Sequence, residues 1–219
     1  MTEIAARGKL PVVVGGTGFY IRALLDGLPA LPPRDEAVRT RLLARQPGSL
    51  HRLLTRLEPA SAARIQPQDT QKLIRALEVR LLTNQALPEL ASSDPLTGFR
   101  VLQIGLDPSR EVLVDVIARR TREMFASGLI DEVRWLLASG LTGDEKPFES
   151  LGYRQAVAHL RAELPLEEAI EATEIGTRQY AKRQRTWFMR DARIRWLRGF
   201  GWAPQIQDEA EVLCAGLLD

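Results

Sequence analysis

The sequence predicts an α/β fold in which a parallel-sheet core is interrupted by an all-helical insertion, and three observations carry that expectation. An apolar β-branched run near the start feeds a glycine turn and then a helix; residues from Asp35 to about Ala91 hold only helical periodicity; a second strand pattern follows at residues 99–106. A wholly apolar strand feeding a helix is the mark of a covered, parallel sheet. The expected domains are residues 1–37 and 101–219 as the α/β core with carboxyl-terminal helices, and residues 38–100 as the helical insertion.

In chain order, residues 1–8 read as the tail of a helix and residues 9–14 (Lys-Leu-Pro-Val-Val-Val) as a strand, expected in one sheet with the strand near Val101. Gly15-Gly16-Thr17-Gly18 is a tight turn, after which Phe19, Ile21, Leu24 and Leu25 recur at helical spacing until Pro29, Pro32 and Pro33 break the pattern. In the insertion, Leu42, Leu43, Leu50, Leu53, Leu54 and Leu57, then Leu73, Ile74, Leu77, Leu81 and Leu82, fall at three- and four-residue intervals. Residues 92–98 (Ser-Ser-Asp-Pro-Leu-Thr-Gly) form a turn cluster before the second strand. Helices are then expected over about residues 110–126, 130–139, 155–161 and 166–190, with a short last strand at 194–197.

Composition narrows the function classes. With 219 residues, 45% hydrophobic and 26% charged, the chain has the make-up of a compact folded protein. Cys214 is the single cysteine, which excludes a disulfide framework or a cysteine metal cluster within one chain. No uncharged apolar run reaches the roughly 18 residues of a membrane span, so a cytoplasmic setting and no membrane partner are expected. The formal charge is only +2, so the placement of charge matters more than its sum.

Three segments carry candidate chemistry. Gly15, Gly16, Thr17 and Gly18 stand where a strand meets a helix, a place whose free amides suit an anion; the same residues fit a tight turn with Thr17 as a helix cap. Residues 177–190 hold Arg178, Lys182, Arg183, Gln184, Arg185, Thr186, Trp187, Phe188, Met189 and Arg190, opposed only by Asp191 before Arg193, Arg195 and Arg198. Cations with interleaved aromatics are the composition of a nucleic-acid surface. In residues 117–125, Arg119, Arg120 and Arg122 share one helix; an arginine facing a cleft would hold a phosphate through its planar fork, and periodicity does not choose among the three. His51 and His159 stand apart from any ligand-spaced partner, and the pairs Asp131-Glu132 and Glu167-Glu168 suit helix starts better than an acid/base dyad.

Together these segments resemble the tRNA dimethylallyltransferases in order and spacing. The matching pieces are residues 8–25 (GKLPVVVGGTGFYIRALL), 71–79 (QKLIRALEV), Arg120 with residues 124–129 (MFASGL), 151–155 (LGYRQ) and 177–187 (TRQYAKRQRTW). The resemblance implies a P-loop NTPase-like α/β core with a helical insertion, which transfers a dimethylallyl group from its diphosphate to the exocyclic amine of the adenine 3′ of the anticodon. It implies that Thr17 and Arg120 act in catalysis and, with Gly15 and Gly16, bind the diphosphate. Gln71, Lys72, Leu73, Ile74 and Arg75, then Leu151, Gly152, Tyr153 and Arg154, then Arg178 and Lys182 to Met189, are implied to contact the tRNA anticodon stem-loop. Magnesium is the implied cofactor, and no metal ligand is assigned within these residues.

One departure stands out. Family members carry a Gly-x-x-x-x-Gly-Lys-Ser/Thr loop and, soon after, an aspartate that takes the amine proton; neither occurs here. The expectation is an amino-terminally truncated form, inactive alone. The family is usually monomeric, but an unpaired sheet edge is expected to make this chain self-associate. A non-catalytic RNA-binding fragment and a fragment of a P-loop nucleotide kinase are the alternatives; the basic aromatic helix argues against the kinase.

Overall fold

The computed structural model describes residues 1–86 and 92–218. It divides into two compact units, one of Phe19–Phe99 and one of Met1–Gly18 with Arg100–Asp219.

The first unit is helical. It holds α2 (Gly18–Asp26, whose first residue belongs to the other unit), β1 (Leu28–Pro29), α3 (Glu36–Leu43), α4 (Pro47–Leu57), α5 (Pro59–Ala62), α6 (Thr70–Thr83) and β2 (Ser92–Ser93). α3 starts where Asp35 accepts a hydrogen bond from the Val38 amide at 2.9 Å, and α6 ends on Asn84 in the left-handed region, φ 56°. Leu50 and Leu54 of α4 pack with Leu73 and Leu77 of α6, all fully buried. Each such leucine contributes about 2–3 kcal/mol of burial. Glu78 is buried beside them, and its carboxylate accepts from the Asp35 amide at 2.8 Å and from Arg75 Nη1 at 2.6 Å. Those bonds hold its pKa below the usual range although burial, the largest influence, pushes upward.

The second unit holds α1 (Thr2–Ala6) and a parallel two-stranded sheet of β3 (Gln103–Leu106) and β4 (Ile194–Leu197), in the register Gln103 with Ile194 through Leu106 with Leu197. Around it lie α7 (Arg110–Met124), α8 (Ile130–Ala138), α9 (Tyr153–Leu160), the 23-residue α10 (Leu166–Phe188) and α11 (Pro204–Leu218). A π-helical turn, Phe125–Leu129, joins α7 to α8, with Gly128 at φ 109°. Phe125, Leu129, Val133, Phe148, Val157 and Ile170 form this unit's core. Gly105 lies in β3 where any Cβ would come within 2.8 Å of Trp196 and Ile194 across the ladder, so the close strand approach requires glycine.

The fold is α/β, as the sequence predicts, with differences that have local causes. Residues 9–14 are extended but form no strand; Val14 is 91% exposed, and no strand among the described residues offers them a ladder. The shared sheet with Val101 is therefore corrected, and the second strand starts at Gln103, later than residue 99. The expected turn at residues 92–98 opens instead with β2, which pairs antiparallel with β1. The helical pattern ends at Thr83, and its expected extension to Ala91 runs into residues 87–91, outside the described ones. The division at Gly18, rather than residue 37, follows from bonds that tie the proline segment to the helical unit: Leu96 N to Leu25 O at 3.1 Å, Arg75 Nη2 to Pro32 O at 3.0 Å, and Asp35 N to Glu78. No described helix is long and apolar enough to cross a membrane.

Candidate functional site

The second unit brings the glycine turn and the basic helix together. Gln184 Nε2 of α10 donates to the Gly16 carbonyl at 2.9 Å, and one turn further the Trp187 indole fills the space a Cβ on Gly18 would occupy. Glycine at 18 is thus required by contact with α10. The Thr17 side chain between them is exposed and makes no hydrogen bond among the described residues.

The same stretch of α10 reaches the carboxyl ends of both strands. Asp107, just past β3 and only 6% exposed in its side chain, accepts from Arg185 Nε at 2.7 Å and Nη2 at 3.1 Å, and also from Arg198 just past β4. The Arg185 hydrogen bond, opposed by burial and helped by both guanidinium charges, holds the Asp107 carboxyl below its usual range, while the same bond raises Arg185. The carboxyl ends of parallel strands are where open α/β sheets place their ligands. Sequence reasoning missed Asp107 and read Arg185 only as an RNA contact; the carboxylate neutralises part of that cation's charge.

Lys182 and Arg183 of α10 and Arg190 just past its end are exposed. Lys182, Arg183, Thr186, Trp187 and Arg190 line an open hollow of about 330 Å³, and Arg183 lies over the Tyr180 ring at 5.8 Å. Arg178, Gln184 and Phe188 are half-buried, and Met189 is exposed. α7 separates the three arginines of its second half: Arg119 pairs with Glu123 at 3.8 Å, Arg122 with Glu174 at 3.5 Å, and Arg120 stays exposed with no ion pair among the described residues. No hydrogen bond among the described residues joins Arg120 to Thr17.

The 151–154 segment turns on Gly152, buried at φ 95°, whose amide donates to Gln155 Oε1 at 2.9 Å. Leu151 packs against Gly176 of α10, and Tyr153 donates to Glu132 at 2.5 Å, which raises the phenol's pKa; Arg154 is exposed. In the helical unit, Gln71 and Lys72 are exposed, with Lys72 2.5 Å from Asp69, and Arg75 is committed to Glu78. Leu73 and Ile74 are corrected to core residues: at 0% and 2% exposure their side chains have no surface to offer RNA. His51 and His159 bond backbone carbonyls at 3.1 and 3.0 Å, and the acidic pairs sit in the first turns of α8 and α10. Among the described residues no group of three or more His, Cys, Asp or Glu side chains is placed to hold a metal ion.

A glycine turn and a cationic, tryptophan-bearing helix meet near the carboxyl ends of a parallel sheet, which defines the class as an α/β protein with its candidate site at the sheet's carboxyl edge. Comparison with known proteins gives this class its family. The IPP transferase family profile matches residues 1–191. A tRNA dimethylallyltransferase from Solibacter usitatus is 52% identical over 215 residues, covering 96% of this chain and 70% of the relative. A solved tRNA isopentenylpyrophosphate transferase from Bacillus halodurans superposes with a TM-score of 0.66 at 34% identity, over 99% of this chain and 69% of that one. A eukaryotic dimethylallyltransferase acting on tRNA shares the fold, with a TM-score of 0.76 at 22% identity over 98% of this chain and 57% of that one. The chain belongs to the IPP transferase family, a family of tRNA prenyltransferases.

Proposed function

We propose that this chain supplies the diphosphate-facing turn and the RNA-facing helix of a tRNA dimethylallyltransferase, which moves a dimethylallyl group from its diphosphate to the exocyclic amine of the adenine 3′ of the anticodon. The observation that supports this reading is the locking of the Gly16–Gly18 turn onto α10 by Gln184 and Trp187, so the turn assigned to the diphosphate and the helix assigned to RNA are neighbours.

The chemistry suits the residues. As the carbon–oxygen bond to the diphosphate breaks, the allylic fragment gains positive charge and the leaving oxygens gain negative charge. Donors already aimed at those oxygens lower the barrier without reorganising. Thr17, with its hydroxyl unengaged among the described residues, and Arg120, with no carboxylate partner there, are the groups free for this task. The adenine must leave its stack, which costs a few kcal/mol and is easiest in an unpaired loop; the exposed Trp187 and the cations of α10 suit such a loop. Magnesium would shield the diphosphate; among the described residues no group of three or more His, Cys, Asp or Glu side chains is placed to hold it without the diphosphate's own oxygens. Asp107, with both oxygens taken by arginines, is not available as a ligand.

The test is RNA binding as a function of salt. Replacing Lys182, Arg183 and Arg190 together by alanine should flatten the slope of log K against log salt by about 2, at roughly 0.7 for each phosphate no longer neutralised on single-stranded RNA. An unchanged slope would show that this helix is only solvated surface. We infer further that the 219 residues alone do not complete the transfer, since no Gly-x-x-x-x-Gly-Lys-Ser/Thr run occurs among them.

A further inference from the structure

Beyond the residues matched by the family profile, the chain builds a rigid aromatic ledge. After Arg198 the backbone folds tightly across the strand ends. Gly199 N bonds Leu197 O at 3.1 Å, Ala203 N bonds Phe200 O at 3.0 Å, and Gln207 Nε2 donates to Gly201 O at 3.0 Å. A Cβ on Gly201 would lie 3.3 Å from Leu106 Cδ1, and one on Gly199 would lie 2.8 Å from Ile206, so the loop sits flush against the end of β3 and the start of α11. On this support Phe200 and Trp202 stack face to face, centroids 4.1 Å apart and planes 11° from parallel. Trp202 nevertheless stays 63% exposed. Burying an indole is worth several times the cost of ordering it, so a large ring held rigidly by its neighbour and left in water has the form of a binding surface.

The neighbourhood says what it would bind. Arg195 and Arg198 are exposed, and from Arg193 to Gln207 no acid intervenes before Asp208. Arg198 shares Asp107 with Arg185 of α10, and Trp202 follows Arg198 by four residues, so their Cα atoms lie within about 14 Å. The ledge is therefore on the side of the unit where Arg185 of α10 meets the strand ends, and not on a remote part of it. A flat π-surface among cations is complementary to an unpaired base and its phosphates.

We propose that Trp202, backed by Phe200, is a stacking platform for an unpaired base of the bound RNA, with Arg195 and Arg198 beside the adjoining phosphates. This rests on the RNA-binding reading of α10 above and adds to it an interaction that reads no sequence, because every base has a π-face.

The test is titration of a labelled anticodon stem-loop with the full chain, followed by fluorescence anisotropy. Trp202→Ala should weaken binding by on the order of tenfold and leave the salt slope as it is, since the indole is neutral. Trp202→Phe should recover most of the affinity. A blunt RNA duplex of equal charge should bind the parent and Trp202→Ala equally. The platform is overturned if Trp202→Ala binds the stem-loop like the parent, if phenylalanine fails to rescue, or if duplex and stem-loop binding fall together. The outcomes separate the two readings. A flattened slope in the Lys182, Arg183 and Arg190 variant with normal binding by Trp202→Ala removes the platform and keeps the RNA surface, whereas an unchanged slope removes the surface itself.

Discussion

Replacing Asp107 by asparagine tests whether the end of the sheet is held by charge. The carboxylate side chain is 6% exposed and takes three hydrogen bonds from Arg185 and Arg198, whose side chains remain 56% and 74% exposed. Asparagine keeps the shape but removes the charge and turns one acceptor into a donor facing a guanidinium. A hydrogen bond to a charged group is worth about 1.5–3 kcal/mol when protected. Here both arginines can rehydrate, so each of the two ion pairs is discounted toward the roughly 1 kcal/mol of an exposed pair, and the whole loss is about 2 kcal/mol. For a chain of this length that lowers Tm by about 4–8 °C. The sign with pH follows from the lowered pKa of Asp107. Its contribution is full above the unfolded value of about 3.9 and is lost as pH falls through the depressed folded value. Thermal unfolding followed by circular dichroism, parent against Asp107→Asn, should thus show a steady gap from neutral pH down to about pH 5 that closes below about pH 4. No gap at neutral pH, or one of undiminished size in strong acid, would refute the charge clamp.

Two further outcomes concern the transfer itself. In a chimera that carries the amino-terminal segment of a relative, Arg120→Ala should slow turnover by about a hundredfold or more, roughly 3 kcal/mol, and barely change tRNA affinity; Thr17→Ala should act in the same direction but less, as it removes one neutral bond. Equal turnover by Arg120→Ala and the parent in a single-turnover assay would remove that residue from the site. The 219 residues alone, incubated with tRNA and dimethylallyl diphosphate, should yield no prenylated adenine by mass spectrometry, and a measurable product would overturn the inference drawn from the missing lysine loop.

Much of the fold is readable because its signals are local. Leu50, Leu54, Leu73 and Leu77 repeat at helical spacing and are all fully buried, and the short β-branched and aromatic pattern at Ile194–Leu197 forms β4 with those bounds. Sequence reasoning fails where structure depends on distant partners. Residues 9–14 have the side chains of a buried strand, but a strand needs a ladder, and the sequence at that place says nothing about whether one is offered. Sequence reasoning missed α11 as well, although Ile206, Ala210, Leu213 and Leu217 recur in it at four-, three- and four-residue intervals and are among its less exposed positions, while Val212 on the other side is 73% exposed. Leu73 and Ile74 lie in a segment that the resemblance assigns to RNA contact yet serve the core, because an amphipathic helix must pack its apolar face. Asp107 precedes Pro108 and the helix cap Ser109, so it resembles a residue of a turn. Its partners lie 78 and 91 residues away, and only the folded chain brings them to it.

The glycine turn follows from the same logic. A phosphate-binding turn is ordinarily fixed by the strand that enters it and the helix that leaves it. Here the entering residues have no ladder among the described ones, so the Gly16 carbonyl and the Gly18 Cα take their place from Gln184 and Trp187. Arg185, between those two, is in turn fixed to Asp107 at the end of β3. Gly16 and Gly18, on either side of Thr17, are thereby set by Gln184 and Trp187, three residues apart on one helix. Whatever displaces the carboxyl-terminal half of α10 also moves Thr17. A ligand that engages the exposed cations of that half acts on the element that positions the turn, which gives the two proposed surfaces a direct physical route for coupling.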